Sequence, residues 1–513
     1  MLWQNQVRVP GGSTGDGRLE HRGGAIRGKR VSKPVTVTLY WHDYETFGVD
    51  PRRDRPAQFA GLRTDAALNE IGEPLVIYCR PARDGLPSPE ACLLTGITPQ
   101  LAAARGLPEP EFIARIHAEL SHPGTCGVGY NSLRFDDEVT RHALYRNFYD
   151  PYAREWREGN SRWDIIDLAR MAYALRPEGI EWPRYGDGRP SFRLEDLAAA
   201  NGIGHDRAHD ALSDVQATLG LARRVRSRQP RLYDWLFRLR DKRRAAEQLD
   251  LVGHRPVVHT SRRYPAQTGC TTLVMPLVGE PGNSNGVLVY DLRRDPAPFL
   301  DLDEASLRER LFTRVEDLPE GVERLPVKSV KINRCPALAP PKTLDRAVVE
   351  RIAIDLDACS RNWHRLSANQ GFIQRVAQAY GRREFRPAAD VDLALYDGFL
   401  GDADRALLIR VRDASPRELA TTRFDFHDTR LSELLFRYRA RNWPETLSPE
   451  EARRWERFCH RRLRDAEGVD GITLRDYYAR IARLRDKHAG DAQAQRILDA
   501  LDEWGAILDS PQP

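Results

Sequence analysis

Five side chains in three stretches of this 513-residue chain are of the types that hold hard cations or move protons. Asp43 and Glu45 stand two apart at the end of a β-rich run, and an extended strand sends residues i and i+2 to the same side. Two carboxylates can then share one metal ion. Asp136 follows a short apolar stretch, residues 126–130, and opens a helix-compatible segment, which puts a third carboxylate at a strand-to-helix junction. His209 precedes a helix or lies in its first turn, and Asp214 follows roughly one helical turn later, so a base and a ligand could face one pocket. Each stretch also has a plainer reading. A D-x-E pair can be solvated charge, Asp136 or Asp137 can cap a helix, and Asp210 can cap while Asp214 complements the helix dipole beside a surface histidine. Taken singly, each stretch favours the plainer reading; the three together reverse it.

The elements that must position these groups are mixed. Residues 35–41 read as a strand ending at Asp43-Tyr44-Glu45. Residues 58–64 and 75–79 read as an antiparallel hairpin whose turn contains Asn69 and Gly72, so that the first three strands could form one meander. Helical composition or spacing follows in 111–120, 136–146, 163–175, 194–201 and 211–226. The last of these places Leu212, Val215, Leu219 and Ala222 on one face, with Arg223, Arg224 and Arg226 near its C-terminal end. Residues 231–251 again read as helix. Short β-rich runs then appear at 256–260, 271–277, 286–291 and 327–332. Beyond residue 344 the pattern is helical, in 344–359, 362–380, 430–438, 449–463 and 492–508.

A chain of this length exceeds one hydrophobic core, since cores stop growing near about 250–300 residues, so two or three domains are expected. Apolar residues at 41% and charged residues at 30% fit a folded protein with a hydrated surface. A formal charge of only +5 means that any nucleic-acid site must come from clustered cations. The seven cysteines are scattered and form no C-x-x-C pair, which argues against a disulfide framework or a zinc knuckle and fits a reducing cytoplasm. The sequence holds no run of 18 apolar residues and no secretory h-region, so no membrane association is expected. Residues 1–33, rich in Gly and Arg, read as a disordered leader or an artefact of start-codon choice.

Asp43, Glu45, Asp136, His209 and Asp214 occur in the order and local contexts of the DEDDh exonucleases, a ribonuclease H-like family. Within that family the chain resembles bacterial exonuclease I through His42-Asp-Tyr-Glu-Thr-Phe-Gly48, Asp54-Arg-Pro-Ala-Gln-Phe59, Thr95-Gly-Ile-Thr-Pro99 and Arg134-Phe-Asp-Asp-Glu-Val139. The likeness continues in Tyr145-Arg-Asn-Phe-Tyr-Asp-Pro151, Ala174-Leu-Arg-Pro-Glu-Gly179 and Arg228-Gln-Pro-Arg-Leu232. It reaches Lys331-Ile-Asn-Arg-Cys-Pro336, Leu395-Tyr-Asp-Gly-Phe399 and Tyr438-Arg-Ala-Arg-Asn442, and so covers nearly everything after the leader.

The resemblance implies an α/β ribonuclease H-like exonuclease domain with a mixed sheet and helices (34–229), an SH3-like β-rich domain (230–385) and a helical C-terminal domain (386–510). It implies 3′-to-5′ hydrolysis of single-stranded DNA to nucleoside 5′-monophosphates, in DNA repair and recombination. Two Mg²⁺ ions suit such a reaction, with Mn²⁺ as a substitute. Asp43, Glu45 and Asp214 would hold one ion, Asp43 would bridge to the second, and Asp136 would anchor the second directly or through water. His209 would act as general base, because imidazole titrates near neutral pH. Glu45 would also meet the terminal nucleotide near its 3′-hydroxyl, and Arg193 matches a substrate-contacting position. Arg141, Tyr152, Trp156 and Arg170, with Trp235 as a further candidate, would form a track of phosphate contacts and stacking platforms. The same resemblance implies docking of the acidic C-terminal tail of single-stranded-DNA-binding protein, and a monomer is the expected state. The run Phe436 to Trp443 interleaves aromatics and cations but is read as packing.

Three other readings stay open. A related DEDDh enzyme could act on RNA or short oligonucleotides, a DNA-binding scaffold could keep the fold without turnover, and a metallophosphatase could act on small molecules. The scaffold would be expected to lack a carboxylate or the histidine, yet all five positions are filled. The phosphatase would need no stacking track.

Overall fold

Alternation along Thr38–Thr46 (β1) decides how the first part of the chain packs. The computed structural model describes residues 36–205, 209–381, 387–465 and 471–510; the 1–33 leader lies outside the described residues. Leu39 and Trp41 enter one apolar cluster and Tyr40 and Tyr44 another, as a pleated strand buried on both faces requires. β1 pairs antiparallel with β2 (Pro56–Thr64), and β2 pairs antiparallel with β3 (Glu70–Tyr78). On its other edge β1 runs parallel to β4 (Thr125–Gly129), which runs parallel to β5 (Ser161–Asp164), giving the order β3-β2-β1-β4-β5.

Parallel neighbours need crossovers. Helices α1 (Pro89–Thr95), α2 (Pro99–Arg105) and α3 (Glu109–Ser121) carry the chain from β3 to β4, and α4 (Asp136–Arg146) lies on the route to β5. Phe112, Ile113 and Ile116 of α3 and Val139 and Leu144 of α4 cover the Tyr40/Tyr44 face. Next come α5 (Ile165–Leu175), α6 (Leu194–Ala200), α7 (Ala211–Arg228) and α8 (Pro230–Arg238). Leu168 and Met171 of α5 and Val215, Leu219 and Ala222 of α7 cover the Leu39/Trp41 face.

β1 runs through Thr46, so Asp43 and Glu45 lie on the strand near its end, as expected, while other expectations shift. The hairpin reverses earlier than expected, at residues 65–69, where Asp65 accepts the backbone N–H groups of Ala67 and Asn69, both at 2.8 Å; Gly72 falls inside β3. Trp163 was expected to open a helix but belongs to β5, because pairing of residues 161–164 with β4 competes successfully with local helical spacing. The 231–251 helix is two, α8 and Lys242–Glu247. The expected helices 344–359 and 362–380 are redivided into Arg346–Arg351, Leu356–Ser367 and Gln370–Gly381. Among the described residues all seven cysteines are free, and no helix is long and apolar enough to cross a membrane.

The four β-rich runs form β6 (Val257–Thr260), β7 (Thr271–Gly279), β8 (Gly286–Asp291) and β9 (Val327–Lys331). An unexpected short strand, β10 (Ala337–Ala339), completes an antiparallel sheet of order β10-β6-β7-β8-β9. Its apolar residues are continuous with the cluster beneath α5 and α7. The described residues from 391 to 510 are largely helical and include three α-helices with no sequence counterpart above, Asp402–Asp413, Pro416–Thr421 and Leu474–Lys487.

This last region meets the first through buried charge. Asp392 accepts from Arg441 at 3.0 Å and Arg437 at 3.1 Å, and Arg441 also donates to Asp84 at 2.7 Å. Arg55 lies 3.7 Å from Asp392 and donates to Glu109 at 3.0 Å, and Glu109 accepts from Arg146 at 2.6 Å. Burial opposes ionisation of Asp392, yet Arg441, Arg55 and Arg462 outweigh it and hold its carboxyl well below the usual range. Removing one member strands the others as buried unpaired charge, which costs about 3–5 kcal/mol. Asp392→Ala is therefore expected to lower unfolding free energy by about that amount in urea titrations; a loss below about 1 kcal/mol would show that the network is dispensable.

Candidate active site

The row Leu39, Trp41, Asp43, Glu45 lies along one side of β1, apolar where the strand crosses the core and acidic where it leaves. Alongside, β4 ends at Gly129, where an added Cβ would sit 2.6 Å from Ser132 Cβ and 3.0 Å from the His42 carbonyl. Only a glycine lets the chain turn so close to β1. The turn is held from β5, since Asp164 accepts the N–H of Asn131 at 2.8 Å and of Leu133 at 3.3 Å.

That turn delivers Asp136 to the first residue of α4. Its Oδ1 accepts the Tyr44 N–H at 3.0 Å, a tie to β1 and not a cap of its own helix. The neighbouring carboxylate has another task. Asp137 is clasped by Arg154 at 2.5 Å and Arg162 at 2.9 Å, and these cations overcome burial to hold its carboxyl below the usual range. Asp136, by contrast, has no guanidinium partner among the described residues.

The third contribution comes from the start of α7. His209 takes a left-handed backbone, φ 65°, just before the helix, and Asp214 lies in its first turn. Asp210 is the N-cap residue but makes no side-chain cap bond. Gln58 of β2, opposite Glu45 in the β1–β2 register, reaches this start instead. Its amide is 3.5 Å from Asp210 Oδ1, and its oxygen accepts from Ala211 N–H at 3.4 Å. Glu45, His209 and Asp214 converge, each offering a ligand atom within 4.8 Å of the others. Asp43 and Asp136 are outside that tight trio, but Asp136, Glu45 and Asp214 all act electrostatically on Asp43.

The electrostatics are those of crowded like charge. Burial, then Asp136, Glu45 and Asp214, push the Asp43 carboxyl well above the usual range. Burial, then Asp214 and Asp210, push Glu45 up to about 8. Burial raises Asp136 despite the Tyr44 N–H, and raises Asp214 despite two nearby histidines. One of these, His205, hydrogen-bonds Asp214 through Nε2. His205 and Gln58 were not singled out in the sequence reading. Gln58 lies in one of the family-like motifs, but its clamping role depends on a contact spanning about 150 residues.

The outer residues divide. Arg193 is exposed and pairs with Glu195. Arg141 is buried and bound to Glu155 at 2.7 Å, Glu138 at 2.8 Å and the Tyr396 hydroxyl at 3.1 Å. Its guanidinium lies 5.4 Å from the Tyr152 ring, which meets Phe399 at 6.0 Å. Trp156 is 63% exposed and, among the described residues, faces Arg157. Arg170 donates to Asp167 at 2.8 Å, with its Nε buried and unpartnered. Trp235 is fixed in the seam between α8 and the second sheet, donating to the Leu338 carbonyl at 2.7 Å.

Comparison with known proteins adds three family matches: Exonuclease over residues 40–222, Exonuclease I SH3-like domain over 240–382, and Exonuclease I C-terminal domain over 389–508. The chain is 47% identical over 465 residues to exodeoxyribonuclease I of Escherichia coli K12, covering 90% of this chain and 96% of that one. It is similar to the structure of a moderately thermophilic exonuclease I from Methylocaldum szegediense, at 55% identity and TM-score 0.89, covering 92% and 100% of the two chains. It is also similar to the zinc-ion-bound form of the E. coli exonuclease I–single-stranded DNA complex, at 45% identity and TM-score 0.88, covering 93% and 100%.

The raised carboxyl of Glu45 sets a pH dependence. A carboxyl that is protonated when folded but ionised when unfolded contributes stability below its ordinary value near 4.5, and loses it as pH rises through about 8. In EDTA, Glu45→Gln is therefore expected to raise the thermal midpoint by a few degrees at pH 8.5 and scarcely at all at pH 4.5. Equal shifts at both pH values would mean that charge crowding is not what strains the site.

Proposed function

The chain belongs to the exonuclease I family, and on that footing we propose that it hydrolyses single-stranded DNA from the 3′ end, releasing nucleoside 5′-monophosphates. It is an α/β enzyme with a ribonuclease H-like exonuclease domain, an SH3-like domain and a helical C-terminal domain. We take these as 34–229, 230–385 and 386–510.

The observation that carries the reading is the donor set. Asp136, Glu45 and Asp214 all raise the Asp43 carboxyl and Asp214 raises Glu45, while burial raises Asp136 and Asp214, and among the described residues none of the four has an Arg or Lys ion-pair partner. Hard dications relieve that repulsion, and carboxylate oxygen is the ligand Mg²⁺ prefers. Two Mg²⁺ ions fit, with Mn²⁺ as a substitute. Asp43, Glu45 and Asp214 would hold one, while Asp136 would hold the other together with Asp43. When bound, such ions neutralise charge on the phosphate and on the entering and leaving oxygens.

The remaining steps belong to the protein. His209, beside Glu45 and Asp214, accepts the proton of the attacking water. Glu45 faces the terminal nucleotide at its 3′-hydroxyl, which selects the strand end. Arg193, exposed on the α6 N-cap, turns from Glu195 to phosphate. Trp156 and Tyr152 supply ring faces for bases, and Arg170 supplies a cation with an unpartnered donor. Arg141 and Trp235, bonded within the protein, act by holding the walls of the track. The acidic tail of single-stranded-DNA-binding protein is the proposed partner, a monomer the proposed state, and cytoplasmic DNA repair the proposed setting.

A single-stranded oligonucleotide labelled at its 5′ end tests this, beside a duplex control, with Mg²⁺ or EDTA. Wild type is expected to shorten the strand from its 3′ end only with metal, Asp214→Ala not at all, and His209→Ala about 10²- to 10⁴-fold more slowly. Salt-sensitive binding by wild type without cleavage would overturn the reading in favour of a binding scaffold.

A further inference from the structure

Between residues 149–160 and the helix Asp402–Asp413 lies a cavity of about 350 Å³ that shares no residue with the acidic site. Four arginines line it, Arg154, Arg157, Arg405 and Arg412, against two acidic residues, Asp150 and Glu158. Asp150 is already engaged, accepting the N–H groups of Tyr152 at 2.9 Å and Ala153 at 3.1 Å.

Three of the arginines have donors to spare. Arg154 does not: it is buried, gives one nitrogen to Asp137, and its Nε and Nη1 have no accessible surface, so it adds charge to the wall and not a free donor. Arg157 makes no ion pair among the described residues and only faces the Trp156 ring at 5.5 Å. Arg405 holds Asp402 at 3.0 Å in a pair whose acid is almost wholly solvated, a weak tie. Arg412 donates to the Phe148 carbonyl at 2.6 Å and lies 4.1 Å from the Tyr149 ring. Tyr149 in turn meets His117 at 4.6 Å. Burial, and after it the repulsion of Arg412 and Arg154, push His117 down to about 4, so both guanidinium charges are felt at this wall.

Positive surplus with forked donors suits a phosphate, and the His117 and Tyr149 rings on the wall, tilted 42° to one another, offer planar surface to a base. The volume is in the range of small-ligand pockets. We propose that this cavity is a second nucleotide site, which binds a nucleoside 5′-monophosphate by its phosphate, outside the catalytic cleft. The proposal rests on the reading above for the source of that ligand, the released product. Since the walls come from two regions of the chain, an occupant also ties the C-terminal helices to the exonuclease domain.

The test is calorimetric titration of the full chain in EDTA with thymidine 5′-monophosphate, inorganic phosphate, thymidine and a 20-nucleotide oligothymidylate. One equivalent of the monophosphate is expected to bind, phosphate more weakly, and thymidine not at all. Asp214→Ala keeps this binding, whereas the double variant Arg157→Glu, Arg405→Glu weakens it at least about tenfold. Both side chains are exposed, so the fold should survive; Arg405→Ala alone gives a smaller loss in the same direction. Absent monophosphate binding, or equal affinity in the double variant, overturns the proposal. If only the oligonucleotide weakens in that variant, the cavity takes a strand phosphate and the mononucleotide assignment is lost. A wild type that shortens DNA but binds no monophosphate sinks this site alone; one that shortens no DNA sinks the functional reading.

Discussion

Repulsion among four carboxylates is the constraint around which the rest of the molecule is arranged. Ionised side by side in a partly buried cleft they would drive apart, so the elements carrying them have to be held by other means. Each is held by an uncharged tether or by a neighbouring charge of opposite sign. Asp136 leans on a backbone N–H of β1, and Gln58 bridges from the strand opposite Glu45 to the start of α7. Asp164 fixes the turn between β4 and α4 through backbone donors. These devices leave the four carboxylates without Arg or Lys partners among the described residues, which suits them to the proposed divalent ions and makes them a poor stabiliser of the bare protein.

The residues after Asp136 extend that constraint through the whole chain. Asp137 is neutralised by Arg154 and Arg162, and Arg162 in turn touches the Asn333 carbonyl at 3.4 Å, just beyond β9. Glu138 accepts from Tyr396 of the C-terminal region, from Arg334 and from Arg141. Two consecutive side chains next to a proposed metal ligand therefore report to the second and third regions. In this arrangement the second and third regions brace the site, and the Asp392–Arg441–Asp84 network supplies a second fastening.

The N-terminal region shows how far local pattern reaches. The period-two row of β1, the helix 136–146 and the helix beginning at 211 follow from residue order alone, because each has a side-chain period and a polar boundary. β5 does not, since four residues containing Trp163 fit either period and only pairing with β4 decides between them. β10 is three residues long and exists because β6 offers an edge. The helices after 344 were divided in the wrong places because their breaks, such as Ala353 with φ 48°, carry no Gly or Pro to mark them.

The sequence by itself determined the chemistry available: which carboxylates and which histidine exist, in what order, and that two of them share a side of one strand. Residue type and short-range geometry suffice for that. Tertiary structure alone decided that Asp136 and not Asp137 is left without a cation, and that Gln58 clamps α7. It also decided that Arg141 and Trp235 spend their polar atoms inside the protein while Trp156 keeps its ring in solvent. Each of these depends on partners tens to hundreds of residues away, and the energy of a buried charge or a hydrogen bond is set by what lies across the fold, which no local spacing encodes.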